Sequence, residues 1–288
     1  MNLAILFALL SSLCFGIGHV TARVGLRTLD ARSGAAISVP TATLLFVAAA
    51  PFALDLSQFS ATAAMLFAVV GLFFPAVVTL LNFRSNELLG PTATSTVSGT
   101  TPLFALVAAA LLLGEQIPAH AAVAAAGVVV GIALLSWNPG AVRRQFIGWP
   151  LLVPLAGAVV RGLAQVGARA ALLLWPNPFA ASLIGYAVSS AAVISADRLA
   201  GAERRKLTAH SVTWFGVTGA LNGGAVLLMY LALTAAPVAL VAPIVAAYPL
   251  VTALVSAIAL HEETVTPRML IGAAVTVAAI VYLVASRT

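Results

Sequence analysis

Charged residues are scarce in this 288-residue chain, and their scarcity excludes an ordinary soluble domain. Only 8% of the residues are Asp, Glu, Lys or Arg, 62% are hydrophobic, and the mean hydropathy is +1.10. Soluble domains carry about 25% charged residues because their surface must face water. The chain is therefore predicted to lie in a lipid bilayer.

Motifs for covalent chemistry are also missing. The single cysteine, Cys14, excludes a disulfide framework, and the sequence contains no P-loop for binding a nucleotide. The nearest approach to a zinc-protease motif is His261-Glu262-Glu263-Thr264-Val265, which lacks the second histidine, and Ser98-Gly99 has no preceding Gly-x. We therefore expect neither an enzyme nor a bound cofactor or metal.

Carboxylates are absent from the middle of every apolar run. Glu115 and Glu262 are expected to cap the starts of the fifth and tenth runs, and all other acids also fall at run ends or in loops. A drug–proton antiporter ordinarily uses an acid inside the membrane, so this absence disfavours that mechanism.

Ten apolar runs account for nearly the whole sequence. Each reaches about 20 residues, the length that a helix needs to cross a bilayer, and continuous runs favour helices over a β-barrel. They lie near residues 2–22, 33–54, 61–82, 91–113, 119–137, 149–171, 178–197, 211–233, 238–260 and 267–286. The predicted fold is an all-α integral membrane protein with ten transmembrane helices.

Basic residues are distributed unevenly between the two predicted faces of the membrane. Eleven of the 14 Lys and Arg residues follow runs 1, 3, 5, 7 or 9. Positive loops stay in the cytoplasm, so both termini are predicted to be periplasmic in a bacterial inner membrane. Because the basic residues form no single patch, we expect contact with the lipid bilayer and not with nucleic acid.

An internal repeat relates the two halves of the chain. Pro91 to Glu115 and Pro237 to Glu262 both contain a proline thirteen residues before the final glutamate. Phe15-Gly-Ile-Gly-His-Val-Thr-Ala-Arg23 likewise matches Arg161-Gly-Leu-Ala-Gln-Val-Gly-Ala-Arg169 at an offset of 146 residues. Two five-helix units follow, residues 1–140 and 147–288, and an odd number of helices inverts the second unit in the membrane. Substrate sites in such proteins lie near the bilayer centre, between the two repeats.

This arrangement resembles the drug/metabolite transporter superfamily, specifically its EamA-type members. The resemblance covers essentially the whole chain and rests on the 5 + 5 helices and the Pro-to-Gly114-Glu115 run, in which His261 replaces the glycine of the second copy. Length and periplasmic termini are most similar to the bacterial YddG-type exporters of aromatic and other amino acids. The resemblance implies helices around a central cavity, alternating access and no nucleotide hydrolysis.

Arg161 is the sharpest candidate for a substrate contact. It lies twelve residues into the sixth run, roughly 18 Å deep at about 1.5 Å per residue. An Arg there costs at least ~2.5–3.5 kcal/mol, so it should face a wet cavity or a partner. It could receive a substrate carboxylate, or it could brace helices through backbone carbonyls. Gln165 lies one turn further on the same face.

His19 corresponds to Gln165 in the repeat and is predicted to line the opposite wall of the cavity. It is the one embedded group that titrates near neutral pH. His19 could couple transport to protons, or it could be a hydrogen-bonded residue of the helix packing. The favoured interpretation is that it lines the cavity without coupling.

Polar side chains inside other runs are further candidates for substrate contact. Hydroxyl and amide groups in lipid often serve helix packing, but seven hydroxyls among residues 92–101 indicate partial contact with water. A tyrosine in mid-membrane offers a ring and one hydroxyl to an amphipathic ligand. These candidates are Thr79, Asn82, Thr94, Ser98, Thr101, Asn222, Tyr230 and Tyr248.

The predicted function is secondary transport of small amphipathic metabolites, most concretely amino acids, by a protein that is expected to be monomeric. Export of drugs or hydrophobic cations is the alternative on the same scaffold, although Arg161 disfavours a cation site. A lipid flippase, a channel or an intramembrane enzyme is a weaker alternative.

Overall fold

Helices are the regular secondary structure of the described part of the chain. The computed structural model describes residues 2–136, 149–199, 207–260 and 266–286, and this part of the chain contains no strand. We number its ten apolar segments α1 to α10: Asn2–Gly25, Ala31–Ala53, Ala61–Leu89, Pro91–Leu113, Ala119–Ser136, Trp149–Leu174, Pro178–Leu199, Ala209–Ala235, Val238–Leu260 and Pro267–Ala285. They coincide with the ten predicted runs, except that α3 continues beyond residue 82.

Nine of these segments, counted within the described residues, are long and apolar enough to cross a membrane. The exception is α5, whose apolar part is the shorter Ala119–Leu134. Large apolar side chains point outward along the bundle, as expected of a surface in contact with lipid. Examples are Phe52, Met65 and Leu111, which are 93%, 69% and 78% exposed.

Three segments are interrupted near their middle. In α3, a π-helical stretch, Leu72–Val77, joins Ala61–Gly71 to Val78–Leu89, and Phe74 within it has an extended backbone (φ −137°, ψ 115°). The other two interruptions lie at matching places, between Pro91–Ser98 and Thr101–Leu113 in α4 and between Val238–Val245 and Tyr248–Val255 in α9.

Prolines explain the interruption of α4. Pro102 has no N–H, so it cannot donate to the carbonyl of Ser98 four residues earlier. The Thr101 hydroxyl donates to that carbonyl instead, at 2.6 Å. Pro249 holds the same place at the start of the second half of α9. Each half-helix therefore begins with a proline at its second residue, where the missing N–H costs little.

The loops between the helices lie at two opposite ends of the bundle, which we name after the α1–α2 and α2–α3 loops. At the α1–α2 end, Arg23 donates from Nη1 to the carbonyl of Asn86 at 3.1 Å, and Glu87 accepts from the N–H of Ala31. At the α2–α3 end, Trp175 donates from Nε1 to the carbonyl of Ser57 at 3.2 Å, and Asn177 donates to the carbonyl of Asp55. Side-chain and backbone hydrogen bonds from Ser57 lower the pKa of the exposed Asp55, which keeps this loop carboxylate ionised.

Glycines let α1 and α6 approach the interrupted helices closely. A Cβ atom at Gly16 in α1 would lie 2.8 Å from the carbonyl oxygen of Tyr248 in α9. A Cβ atom at Gly162 in α6 would lie 3.2 Å from the carbonyl oxygen of Thr101 in α4. Each of these α1 and α6 positions thus requires glycine because a neighbouring backbone occupies the space of a side chain.

Glu115 does not cap α5 as expected. Its Oε1 accepts from the N–H of Val238, at the start of α9, at 3.5 Å and lies 3.9 Å from Nε of Arg169. The α4–α5 connection brings the carboxylate to the α2–α3 end of the bundle, where α9 begins and α6 ends, and free N–H groups at a helix start attract an anion. His261, Glu262 and the predicted boundary between the repeats, residues 141–146, lie outside the described residues.

Candidate functional site

A small cavity lies in the middle of the bundle, beside the interruption of α3. Its volume is about 20 Å³, which is room for about one water molecule. Helices α1, α3, α6, α7 and α8 form its wall. The lining residues are Phe15, Gly18, His19, Ala22, Phe74, Pro75, Val78, Thr79, Asn82, Phe83, Arg161, Tyr186, Asn222 and Val226.

Arg161 is the one ionised side chain among the buried residues that the structure describes. It is 3% exposed, and its Nε and Nη1 have no hydrogen-bond partner in the described part of the chain. The described carboxylates lie at the bundle ends, so none neutralises the guanidinium. An unpaired buried charge costs several kcal/mol, so Arg161 is an expensive residue at this position.

Three aromatic rings surround the Arg161 guanidinium. Its Cζ lies 4.9 Å from the ring centre of Phe15, 5.4 Å from that of Tyr248 and 5.7 Å from that of Phe74. Each cation–π contact is worth about 2 kcal/mol when water is excluded. The rings thus offset part of the cost of the buried charge without neutralising it.

His19 lines the cavity beside this aromatic group. Its ring stacks on Tyr248 with the ring centres 5.2 Å apart and the planes at 9°. Its carbonyl accepts from Nδ2 of Asn86 at 3.0 Å. His19 therefore lies on the cavity wall, next to the rings that surround Arg161.

Amide and hydroxyl groups form the rest of the polar wall. Asn82 and Thr79 lie on α3, and the Oδ1 of Asn82 accepts from the Ser98 hydroxyl at 3.4 Å. Asn222 enters from α8 beside Gly18, where a Cβ atom would lie 2.7 Å from its Oδ1. These side chains provide hydrogen-bond donors and acceptors that carry no net charge.

Other candidates lie behind the wall instead of lining it. Gln165 is 1% exposed and donates from Nε2 to Sδ of Met229 at 3.5 Å, while its Oε1 has no partner among the described residues. Thr94 donates to the Ser85 hydroxyl at 3.1 Å, and Tyr230 is also buried. The hydroxyls of α4 largely serve contacts within and between helices, as with Thr101.

Three aromatic residues of the site were not among the sequence-derived candidates. Phe15 and Phe74 contact the guanidinium, and Tyr186 lines the cavity with a buried hydroxyl that has no partner in the described chain. Phe15 stands four residues before His19, one helical turn away, and that spacing could have indicated it. Nothing local distinguishes Phe74 or Tyr186 from other apolar residues.

No group of three or more His, Cys, Asp or Glu residues that could hold a metal ion occurs within the described ranges. The site therefore offers one cation, aromatic surface and neutral polar groups. Such a site suits binding and orientation of a ligand with a negative group.

Comparisons with known proteins concern the fold of the whole chain and the family of its first half. One solved crystal structure of a protein superimposes on this chain with a TM-score of 0.74. The superposition covers 99% of this chain and 97% of the other, and at 16% sequence identity it shows a shared fold alone. None of the curated proteins compared matches the chain. The family comparison is more specific: residues 2–137 match the model of the EamA-like transporter family.

Proposed function

We propose that this protein is a secondary transporter that exports small amphipathic metabolites, most concretely amino acids, across the bacterial inner membrane. The observation that carries the proposal is the buried Arg161 guanidinium, whose Nε and Nη1 are unpartnered within the described chain, at a cavity in the centre of the bundle. The EamA-like match of residues 2–137 supports transport as the activity.

Alternating access between two inverted repeats, residues 1–140 and 147–288, is part of this proposal. Contacts that recur at offsets of 146 or 147 residues support it. Gly16 approaches the Tyr248 carbonyl as Gly162 approaches that of Thr101. The contact of α1 with α9 thus repeats the contact of α6 with α4, and such a repetition is expected when a pseudo-two-fold axis relates the two halves.

Inversion of the second repeat has its own support in the bundle ends. Asp30 precedes α2, and Asn177, 147 residues later, precedes α7. Asn177 donates to the carbonyl of Asp55, which lies at the opposite end of α2 from Asp30. Corresponding helices therefore start at opposite ends of the bundle, as inverted repeats require.

Within the site we assign the substrate carboxylate to Arg161, because a guanidinium binds a carboxylate through two parallel hydrogen bonds. Gln165, one turn away, has an unpartnered Oε1 among the described residues that could accept from a substrate ammonium after the cavity opens. His19, Thr79, Asn82 and Asn222 would contact the remaining polar groups.

The remaining candidates have less direct roles in this proposal. Tyr248 presents its ring to Arg161 and would contact an apolar substrate side chain. Thr94, Ser98, Thr101 and Tyr230 would support the wall through the contacts described above. Export of hydrophobic cations is disfavoured, because a lone buried cation repels one.

The test is amino acid flux in proteoliposomes, comparing wild type with Arg161→Ala and with Arg84→Ala as a control. Arg84 pairs with Glu87 at the bundle end, and its side chain is 54% exposed. We expect saturable flux in wild type and in Arg84→Ala. In Arg161→Ala the flux should fall about 10- to 100-fold, which corresponds to the free energy of one hydrogen bond to a charged group. Wild-type liposomes that carry none of the twenty amino acids would contradict the substrate assignment.

A further inference from the structure

The aromatic rings around Arg161 raise a question about the transport cycle. The cavity in this conformation holds about one water molecule, so a metabolite cannot occupy it. The guanidinium is nevertheless 3% exposed and faces no described carboxylate. A protein that buries a cation in this way must stabilise it with its own groups.

Carriers differ in whether they can close without cargo. Net export requires the binding site to return across the membrane without substrate, whereas exchange needs only the loaded form to reorient. A site with a bare buried cation would return slowly, because burial of an unpaired ion raises the energy of the closed state. Such a carrier would exchange substrates and export little.

We propose that the rings of Phe15, Phe74 and Tyr248 take the place of the substrate carboxylate at Arg161 when the carrier closes without cargo, and so permit net export. The inference rests on the proposed function and adds these three positioning residues to it. The rings come from α1, α3 and α9 and lie 4.9–5.7 Å from the guanidinium carbon. Three ring faces stabilise a cation while adding no anion that would compete with a carboxylate.

The loaded carrier does not depend on the rings in the same way. A bound carboxylate neutralises Arg161 through charge-assisted hydrogen bonds, which are stronger than a cation–π contact. Loss of a ring therefore slows mainly the cargo-free step.

The experiment compares two transport modes of Phe15→Leu in proteoliposomes. The probe is the radiolabelled amino acid that wild type carries fastest. Net efflux is measured into buffer without amino acid, and exchange is measured into buffer that contains the same amino acid unlabelled. We expect net efflux to fall about 30-fold, as for loss of one desolvated cation–π contact, while exchange stays within about twofold of wild type.

Two further variants control for damage to the fold. Phe83→Leu removes a ring that lines the same cavity but is not among the rings over Arg161, so it should change both modes equally or not at all. Phe74→Leu removes another ring over Arg161 and should also lower net efflux more than exchange, so it tests the proposal if Phe15→Leu does not fold.

The outcomes separate the two proposals. Equal loss of net efflux and exchange in Phe15→Leu would overturn the role of the rings and leave amino acid transport intact. A loss of net efflux without a loss of exchange in Phe83→Leu would have the same consequence. Absence of any amino acid flux in wild type would overturn the proposed function and this inference with it.

Discussion

Gly16 in α1 lies against the backbone of Tyr248 in α9, so closely that a Cβ atom at residue 16 would be 2.8 Å from the Tyr248 carbonyl oxygen. The Thr252 hydroxyl strengthens this junction by donating to the Gly16 carbonyl at 3.3 Å. The approach brings the rings of Phe15, His19 and Tyr248 together at the site. Because Gly16 has no side chain, α1 and α9 lie close enough to bring these rings together at the cavity.

We expect Gly16→Ala to destabilise the protein by about 1–3 kcal/mol, because the added methyl group must displace a backbone carbonyl. Gly224→Ala in α8 is the matched control, since a Cβ atom there meets nothing within 4 Å. Thermal unfolding in detergent, followed by size-exclusion chromatography, measures both. Equal stability of the two variants would show that α1 and α9 are less closely packed than described.

Thr21 and Thr218 form a hydrogen bond between α1 and α8 with their hydroxyl oxygens 2.8 Å apart. Polar contacts between membrane helices contribute about 0.6 kcal/mol on average and at most about 1.7 kcal/mol. A double-mutant cycle with Thr21→Val and Thr218→Val should therefore give a favourable coupling energy in that range. A coupling energy of zero would indicate that each hydroxyl finds another partner, such as the Trp214 carbonyl that Thr218 also contacts at 2.8 Å.

Arg169 is predicted to matter more than its partner Glu115. It donates to the carbonyls of Leu233 and Thr234, at the end of α8, whereas the carboxylate lies 3.9 Å from its Nε. Arg169→Ala leaves those carbonyls without their donor and should cost about 1–3 kcal/mol, while Glu115→Gln retains an oxygen for Val238 and should cost under about 1 kcal/mol. Unfolding in detergent measures both changes, and the reverse order of effects would assign the main role to the ion pair.

The orientation of the bundle can be tested with single cysteines in a Cys14→Ser background. Leu56→Cys lies in the exposed α2–α3 connection, and Thr28→Cys lies in the exposed α1–α2 connection. If positive loops are cytoplasmic, a membrane-impermeant maleimide added to whole cells should label residue 56 and not residue 28. Lysed cells, in which both should react, provide the control. The opposite labelling pattern would place both termini in the cytoplasm.

Much of the fold could be predicted from the sequence because lipid imposes a simple requirement. Every backbone polar group in the bilayer core needs an internal partner, so apolar runs of about 20 residues become helices, and their number and approximate bounds follow from counting. The same counting placed Arg161 deep inside α6, where an ion is costly whatever surrounds it.

The surroundings of Arg161 were decided by the tertiary structure. Its three rings come from α1, α3 and α9, which are distant in the chain, and Phe74 stands at an interruption of α3 that separates it from the regular helix pattern. The hydroxyl of Thr101, a candidate substrate contact, donates to a carbonyl that Pro102 cannot reach.

The physical reason is that these helices are apolar on nearly every side. In a soluble protein, alternation of polar and apolar residues shows which face of a helix is buried, but helices surrounded by lipid lack that signal. Their faces are selected by close packing of small residues, such as Gly16 on Tyr248, and that fit exists only between helices already in contact. The sequence by itself thus determined that the chain crosses the membrane and where the one deeply buried cation of the described residues lies, whereas helix packing decided which side chains meet that cation.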